Sequence, residues 1–367
     1  MAGVLLDFLR SPEAYRALGL PAEQVEVIET HHAWVFLLRE HVLKMKKPVH
    51  TRWLDFSTPA RREAACREEL RLNQALAPGV YLGLVQARRA PAGWVLQRIE
   101  EPAAEAAAPT APATPEDSNP ATDWLVLMRR LPAQRMLDQL MLQGAVCPEG
   151  VDRLARVLCA FWSGARRASL TPPAWRERAA QALEEDARGL TREAWALPCG
   201  EAGPWWAAVH QAERAVAGCR RLQAGCAREL AQRVAQDRMV YGHGDLRPEH
   251  VHLPPPPARP LVIDCLEFNK NLRQVDPFEE LSYLAVECRR LGAAWVGRRL
   301  FARCGRLLGD RPAHRLLRLY GAQRALLRAR LSLAHLQDRP PEEGSRWRQL
   351  AAWYVDCAAL AVAQRPT

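Results

Sequence analysis

"YGHGDLRPEHVHL", residues 241–253, gathers three histidines, two acids and an arginine within thirteen positions. Taken alone, it fits a metal cluster, a phosphate-handling catalytic loop or a charged surface turn. Its flanks narrow the choice. The stretch is followed by "PPPPARPLVIDCLEF", and "VHL" and "LVID" are short apolar runs on either side of a proline turn. They predict a hairpin that brings Asp245 and Asp264, nineteen residues apart, towards one cleft. Two carboxylates and a nearby basic residue suit phosphoryl transfer. One orients or deprotonates the attacking hydroxyl, and the other holds the Mg2+ that bridges the nucleotide phosphates.

Outward from this element the chain divides into unlike parts. In residues 25–50, "VEVIET", "AWVFLL" and "VLKMK" are rich in β-branched and aromatic residues and predict strands, the last carrying Lys44 and Lys46. Thr58 followed by Pro59 marks a helix start, with Cys66, Leu70, Leu72 and Leu76 near one face. "VYLGLVQARR", "GWVLQRI" and "DWLVLMRRLP" predict further strands, the last stopping at Pro132. Residues 101–122 are rich in Ala, Pro and acids and have no apolar face, so a disordered insertion is expected there. Residues 150–240 and 276 onward carry helical spacing, with breaks near Pro312 and Pro340–Pro341. The expected class is α+β. A small antiparallel β lobe with one helix spans 1–131, and a larger, mainly helical lobe spans 132–367.

Composition narrows the partners. A chain of 367 residues suggests two lobes with substantial cores. The net charge of +10 contains no block of like charge and no nucleic-acid motif accompanies it. It predicts solvated helix faces and a preference for anionic small ligands such as nucleotides, without nucleic acid as a partner. Ten cysteines form no CxxC pair, which speaks against a zinc ribbon and predicts buried free thiols in a reducing compartment. The apolar N-terminal stretch is too short for a signal peptide and no run of 18 apolar residues exists, so no membrane partner and a cytoplasmic location are expected. Tryptophans such as Trp205 and Trp206 read as core or groove lining.

"HGDLRPEH" resembles the catalytic loop of protein kinases, H-R-D-L-K-P-E-N, and that of aminoglycoside phosphotransferases, H-G-D-x-x-x-x-N. "VIDCLEF" stands where that superfamily has its metal-binding aspartate. "ETHHAWVFLLREHVLKMKKPVHTRWLDFST" resembles the start of an uncharacterised bacterial branch of the aminoglycoside phosphotransferase-like family. The likeness runs from about residue 25 to about residue 295. It implies a protein-kinase-like bilobal fold and transfer of the γ-phosphate of ATP or GTP, with Mg2+ or Mn2+, to a hydroxyl of a small molecule.

The resemblance also implies roles. Asp245 matches the catalytic base, His243 the structural histidine of the loop, and Arg247 the loop lysine that neutralises charge on the phosphate. Asp264 matches the magnesium aspartate. Lys44 resembles the strand lysine on the α- and β-phosphates, and Glu69 the helix glutamate that fixes it, with Lys46 and Glu68 as alternatives in register. The backbone at about Met128–Arg130 resembles the hinge that contacts adenine. Arg273 and Asp276 resemble the segment that braces the catalytic loop. Outside the resemblance, Glu267, three residues after Asp264, reads either as a further carboxylate near the metal or as a plain loop carboxylate.

Two departures stand out. His250 replaces the asparagine that ligates a second metal, although oxygen suits Mg2+ better than imidazole. "ETHHAW" stands where protein kinases have a glycine-rich loop. These leave two other readings open: a nucleotide-binding pseudokinase, and a metal-dependent hydrolase built on His243, Asp245, His250, His252 and Asp264. The helices from about 150–235 and 290–360, where the superfamily selects its acceptor, carry no readable ligand code.

Overall fold

The computed structural model describes residues 2–99, 122–196, 205–338 and 343–363. In chain order the helices are α1 (Ala2–Arg10), α2 (Pro59–Asn73), α3 (Leu137–Leu142), α4 (Pro148–Gly164), α5 (Pro172–Gly189), α6 (Arg192–Ala196), α7 (Trp206–Gly225), α8 (Ala227–Ala235), α9 (Pro277–Arg290), α10 (Ala294–Leu307), α11 (His314–Asp338) and α12 (Gly344–Ala363). The strands are β1 (Glu26–Glu29), β2 (Ala33–Leu37), β3 (His41–Lys46), β4 (Tyr81–Ala90), β5 (Gly93–Ile99), β6 (Thr122–Arg129), β7 (Val240–Tyr241), β8 (Val251–His252), β9 (Leu261–Val262) and β10 (Gln274–Val275).

Two compact units result. One holds Met1–Gln139 with His250–Leu272, the other Leu140–Glu249 with Arg273–Thr367. The segment 250–272, placed with the helical lobe on sequence grounds, thus clusters with the sheet. Of the 101–122 insertion, only Thr122 lies within the described residues, where it opens β6; the break at Pro340–Pro341 lies outside them.

The first unit is built on an antiparallel six-stranded sheet of order β1-β2-β3-β6-β4-β5. Side chains alternate across a strand, so each central strand feeds two cores. Leu43, Met45, Leu125 and Leu127 face one core with Leu5 and Leu9 of α1 and with Tyr15. Val126, Met128, Leu84 and Trp124 face the other, against Cys66 and Leu70 of α2. Each fully buried Leu contributes roughly 1.5–3 kcal/mol, so both faces stabilise the sheet. The sequence reading missed α1, whose Leu5 and Leu9 lie one turn apart. Thr58 does cap α2: its side chain accepts from the Arg61 N–H, with Pro59 in the first turn. The expected hairpin after His250 also forms, with Val251 opposite Val262 and His252 opposite Leu261.

The second unit is helical. Helix α11 packs on α12, α9, α7 and α5 around Tyr354, Ala322, Leu326 and Trp195. Of the nine cysteines described, all but Cys147 are buried, and none is in a disulfide. Among the described residues no helix is long and apolar enough to cross a membrane.

Candidate active site

Because Leu43 and Met45 face the α1 core, Lys44 and Lys46 project from the opposite sheet face, towards α2. There they meet Glu69, whose side chain has no solvent exposure. Lys44 Nζ lies 2.9 Å from Glu69 Oε1 and 2.6 Å from Asp264 Oδ1. Lys46 Nζ lies 2.7 Å from Glu69 Oε2 and also donates to Glu267 Oε1. One buried carboxylate therefore anchors two ammonium groups, each held by a second carboxylate. Burial separates the two glutamates but not the two lysines, both of which meet Glu69. Glu68 points outward, where it pairs with Arg71, whereas Glu69 takes both lysines.

Opposing effects tune these groups. Burial disfavours the ammonium of Lys44, but the carboxylates of Asp264 and Glu69 outweigh it and raise its pKa well above the ordinary lysine value. Burial likewise opposes ionisation of Asp264, yet Lys44 and His250 hold its carboxyl well below the usual range. Glu69 is lowered, because Lys44 and Lys46 overcome its burial. At Glu267 burial prevails over Lys46, and the carboxyl is raised.

Asp264 is held in the left-handed backbone region, φ +63°, uncommon for a non-glycine residue though tolerated better by Asp than by most. The Asp264 N–H donates to Tyr81 Oη (3.0 Å), and the Cys265 N–H to Asn73 Oδ1 (3.0 Å). Asn73 Nδ2 donates in turn to the Glu69 carbonyl (2.8 Å). Asn73 thus ties the turn of α2 that carries Glu69 to the backbone next to Asp264. Tyr81 and Asn73 carry no sequence signal of their own.

His250 lies beside Asp264, with Nε2 3.4 Å from Oδ2. His252 is buried on β8, and among the described residues neither ring nitrogen has a hydrogen-bond partner. Burial, with Arg135 and Arg129, lowers its pKa, so the ring is kept neutral. Its cross-strand neighbour Leu261 belongs to the core that holds Met128, with Val42 and Leu131 packed against it. Met128 sits inside β6, paired to Val42 and Tyr81. The Arg130 N–H is already engaged by the Glu40 carbonyl (2.8 Å), and its guanidinium by the Leu38 carbonyl (2.7 Å). Where protein kinases have glycines, the β1–β2 turn is closed by Thr30, whose hydroxyl accepts from the Ala33 N–H (3.0 Å).

His243, Asp245 and Arg247 belong to the second unit. The loop is braced by Glu280 of α9, a buried carboxylate raised by that burial and satisfied by three donors. These are the Gly244 N–H (2.5 Å), Trp162 Nε1 (2.8 Å) and the His243 backbone. Gly242 is required by this approach, since a Cβ there would stand 2.4 Å from Glu280 Oε2. Gly244 is required by its φ of +87°. His243 is buried, and its Nδ1 accepts the Asp245 N–H (3.2 Å). Arg247 reaches Asp245 Oδ2 through Nη2 (3.0 Å) and Glu249 through Nη1 (2.7 Å). Burial and the charge of Asp245 raise the hydroxyl pKa of Tyr283. Arg273 braces the loop through its carbonyl, which accepts the Gly242 N–H (2.7 Å). Asp276 instead caps α9 and pairs with Arg233 (2.8 Å), so the carboxylate on the loop is Glu280, four residues further on.

Among the described residues no three His, Cys, Asp or Glu side chains gather as a metal-ligand set. Mg2+ asks for less: one or two carboxylates, with phosphates and water completing the shell. The Asp264 side chain, 40% exposed, fits that demand.

This α+β architecture is shared with solved structures of aminoglycoside phosphotransferase and of a choline/ethanolamine kinase family protein. An apo structure of a thermostable mutant of aminoglycoside phosphotransferase APH(4)-Ia superposes with a TM-score of 0.52 at 12% identity, covering 98% of this chain and 99% of that one. A ternary complex of the same enzyme with AMP-PNP and hygromycin B gives 0.51 at 13% identity over 98% and 99%. A choline/ethanolamine kinase family protein from Mesorhizobium loti gives 0.50 at 16% identity over 93% and 88%. In sequence, the chain is 28% identical over 319 residues to uncharacterised proteins of Mycobacterium tuberculosis and Mycobacterium bovis, which covers 87% of this chain and 56% of theirs. It therefore spans about half the length of the curated relatives it matches. No protein-family model matches the chain.

Proposed function

We propose that the chain is a nucleotide-dependent phosphotransferase that moves the γ-phosphate of ATP or GTP to a hydroxyl of a small molecule. The observation that carries this reading is the Lys44–Glu69–Asp264 network, with Lys44 Nζ within 2.9 Å of both carboxylates. Such a fixed ammonium is preorganised to meet phosphate oxygens, and preorganised charge is the main catalytic resource in phosphoryl transfer. Glu69 holds Lys44 in place. Lys46 and Glu267 brace Glu69 from the other side. Asp264, beside His250, would hold a divalent cation, and a bound Mg2+ would neutralise charge on the phosphates. Asp245 would orient the acceptor hydroxyl and take its proton, while Arg247 would counter charge on the phosphate in flight. The neutral imidazole of His252 would offer its unpartnered nitrogens to the nucleobase, beside Met128, Val42 and Leu131.

The proposal is tested by incubating the protein with Mg-ATP and a panel of hydroxylated metabolites and following ADP release. Turnover that disappears in Asp245→Asn supports it. A nucleotide that binds without turnover on any acceptor favours the pseudokinase reading, which His250 in place of asparagine motivates. The hydrolase reading lacks a gathered ligand set among the described residues.

A further inference from the structure

Helix α9 presents two opposed faces. Glu280, Tyr283 and Glu287 follow each other at three- and four-residue spacing on one face, where Glu280 accepts the Gly244 N–H (2.5 Å) and Glu287 accepts from Arg328 of α11 (2.8 Å). Phe278, Ser282, Ala285 and Arg289 follow at the same spacing on the other side. That second face lines a cavity of about 620 Å³ shared with α10, α11 and α12. Its size lies within the ~300–1,000 Å³ usual for small-ligand pockets.

The cavity combines an apolar interior with a cationic mouth. Phe278 and Phe301 stack with ring centroids 6.4 Å apart. Opposite them Gly321 of α11 leaves open space, since nothing stands within 4 Å of where its Cβ would be. The lining holds five arginines and one acid. That acid, Asp310, is committed to Arg233 (2.8 Å). Arg318 is committed to the Ala361 carbonyl (2.8 Å) at the end of α12. Among the described residues, Arg298, Arg306 and Arg311 make no ion pair, unlike Arg299 and Arg303 beside them, which meet Asp152. Three exposed arginines without an ion pair among the described residues thus line one mainly apolar cavity. An anion with a hydrocarbon tail answers both features at once.

We propose that this cavity is a binding site for an amphipathic anion, a single hydrocarbon chain ending in a carboxylate or phosphate. The chain lies between the two phenylalanines and Gly321, and the head group meets Arg298, Arg306 and Arg311. The lining shares no residue with the Lys44–Asp264 network, and its occupancy does not depend on the phosphotransferase reading.

Decanoate, decyl phosphate and decylammonium, each below its aggregation threshold, are titrated into the full chain by calorimetry. Saturable one-to-one binding of decanoate, of decyl phosphate or of both, and not of decylammonium, is expected, and the stronger of the two anions identifies the head group. Arg298→Ala with Arg306→Ala weakens that binding by roughly tenfold or more, as expected for loss of charge-assisted contacts. Gly321→Leu fills the cavity from a helical position and abolishes binding, with a melting temperature at least equal to that of the parent. Equal binding of decylammonium, non-saturable uptake only, or full binding by a folded Gly321→Leu variant overturns the proposal.

Discussion

Glu69→Gln isolates the charge on which the first unit's polar centre is built. The substitution keeps shape and one hydrogen-bonding oxygen but removes the carboxylate that both Lys44 and Lys46 contact. Breaking a fully buried ion pair costs about 3–5 kcal/mol. Here each lysine keeps a second carboxylate, Asp264 for Lys44 and Glu267 for Lys46, which pulls the cost to roughly 2–3 kcal/mol. For a unit of this size that is a fall of roughly 4–12 °C in melting temperature. Glu68→Gln is the matched control. It removes the same charge one residue earlier, on the outer face of α2, and should stay within ~0.5 kcal/mol of the parent. Thermal unfolding of the parent and both variants, read by tryptophan fluorescence, makes the comparison. Equal shifts for Glu69→Gln and Glu68→Gln would show that the buried network does not stabilise the unit.

Three further outcomes are expected. Asp245→Asn should lower transfer by roughly 10²–10⁴-fold while Mg-ATP affinity stays within about threefold, as read by coupled turnover and calorimetry. His252→Leu removes a buried imidazole without partners and should raise stability by about 1–3 kcal/mol while weakening nucleotide affinity. Because the His252 pKa is depressed, the unfolded chain binds the extra proton, and the parent loses stability as pH falls below about 6.5; melting curves at two pH values should show that loss diminished in the variant. Gly242→Ala drives a Cβ against the Glu280 carboxylate and should cost about 1–3 kcal/mol by thermal melt.

Much of the fold is legible because its signals are local. Alternation in "VLKMK" places Lys44 and Lys46 on one face, and the Thr58–Pro59 pair starts α2 where it begins. The short hairpin around the proline turn follows from two apolar runs. Helix α1 escaped notice because in so short a stretch, apolar at six of nine positions, the buried side shows only once the sheet face it covers is known. The sequence motif singles out His243, Asp245 and Asp264 by spacing alone, and their proposed roles rest on that resemblance. The site was not legible where burial decides. Nothing in "REEL" distinguishes Glu68 from Glu69, and only α2's rotation against the sheet does so. Tyr81, Asn73 and Trp162 act through contacts more than a hundred residues away in sequence for their loop partners. Glu280 had a readable signal, an acid four residues after Asp276 in "DPFEEL", but the brace was assigned to Asp276 itself.

In the proposed function, Lys44 and Asp264 form a phosphate- and metal-handling pair. Calorimetric titration of AMP-PNP into the parent, Lys44→Met and Asp264→Asn, each with and without Mg2+, tests it most directly. Saturable binding by the parent that strengthens with Mg2+, weakens at least tenfold in Lys44→Met and loses its Mg2+ dependence in Asp264→Asn is the predicted result. No binding by the folded parent at millimolar nucleotide, or Mg2+ dependence unchanged in folded Asp264→Asn, contradicts it.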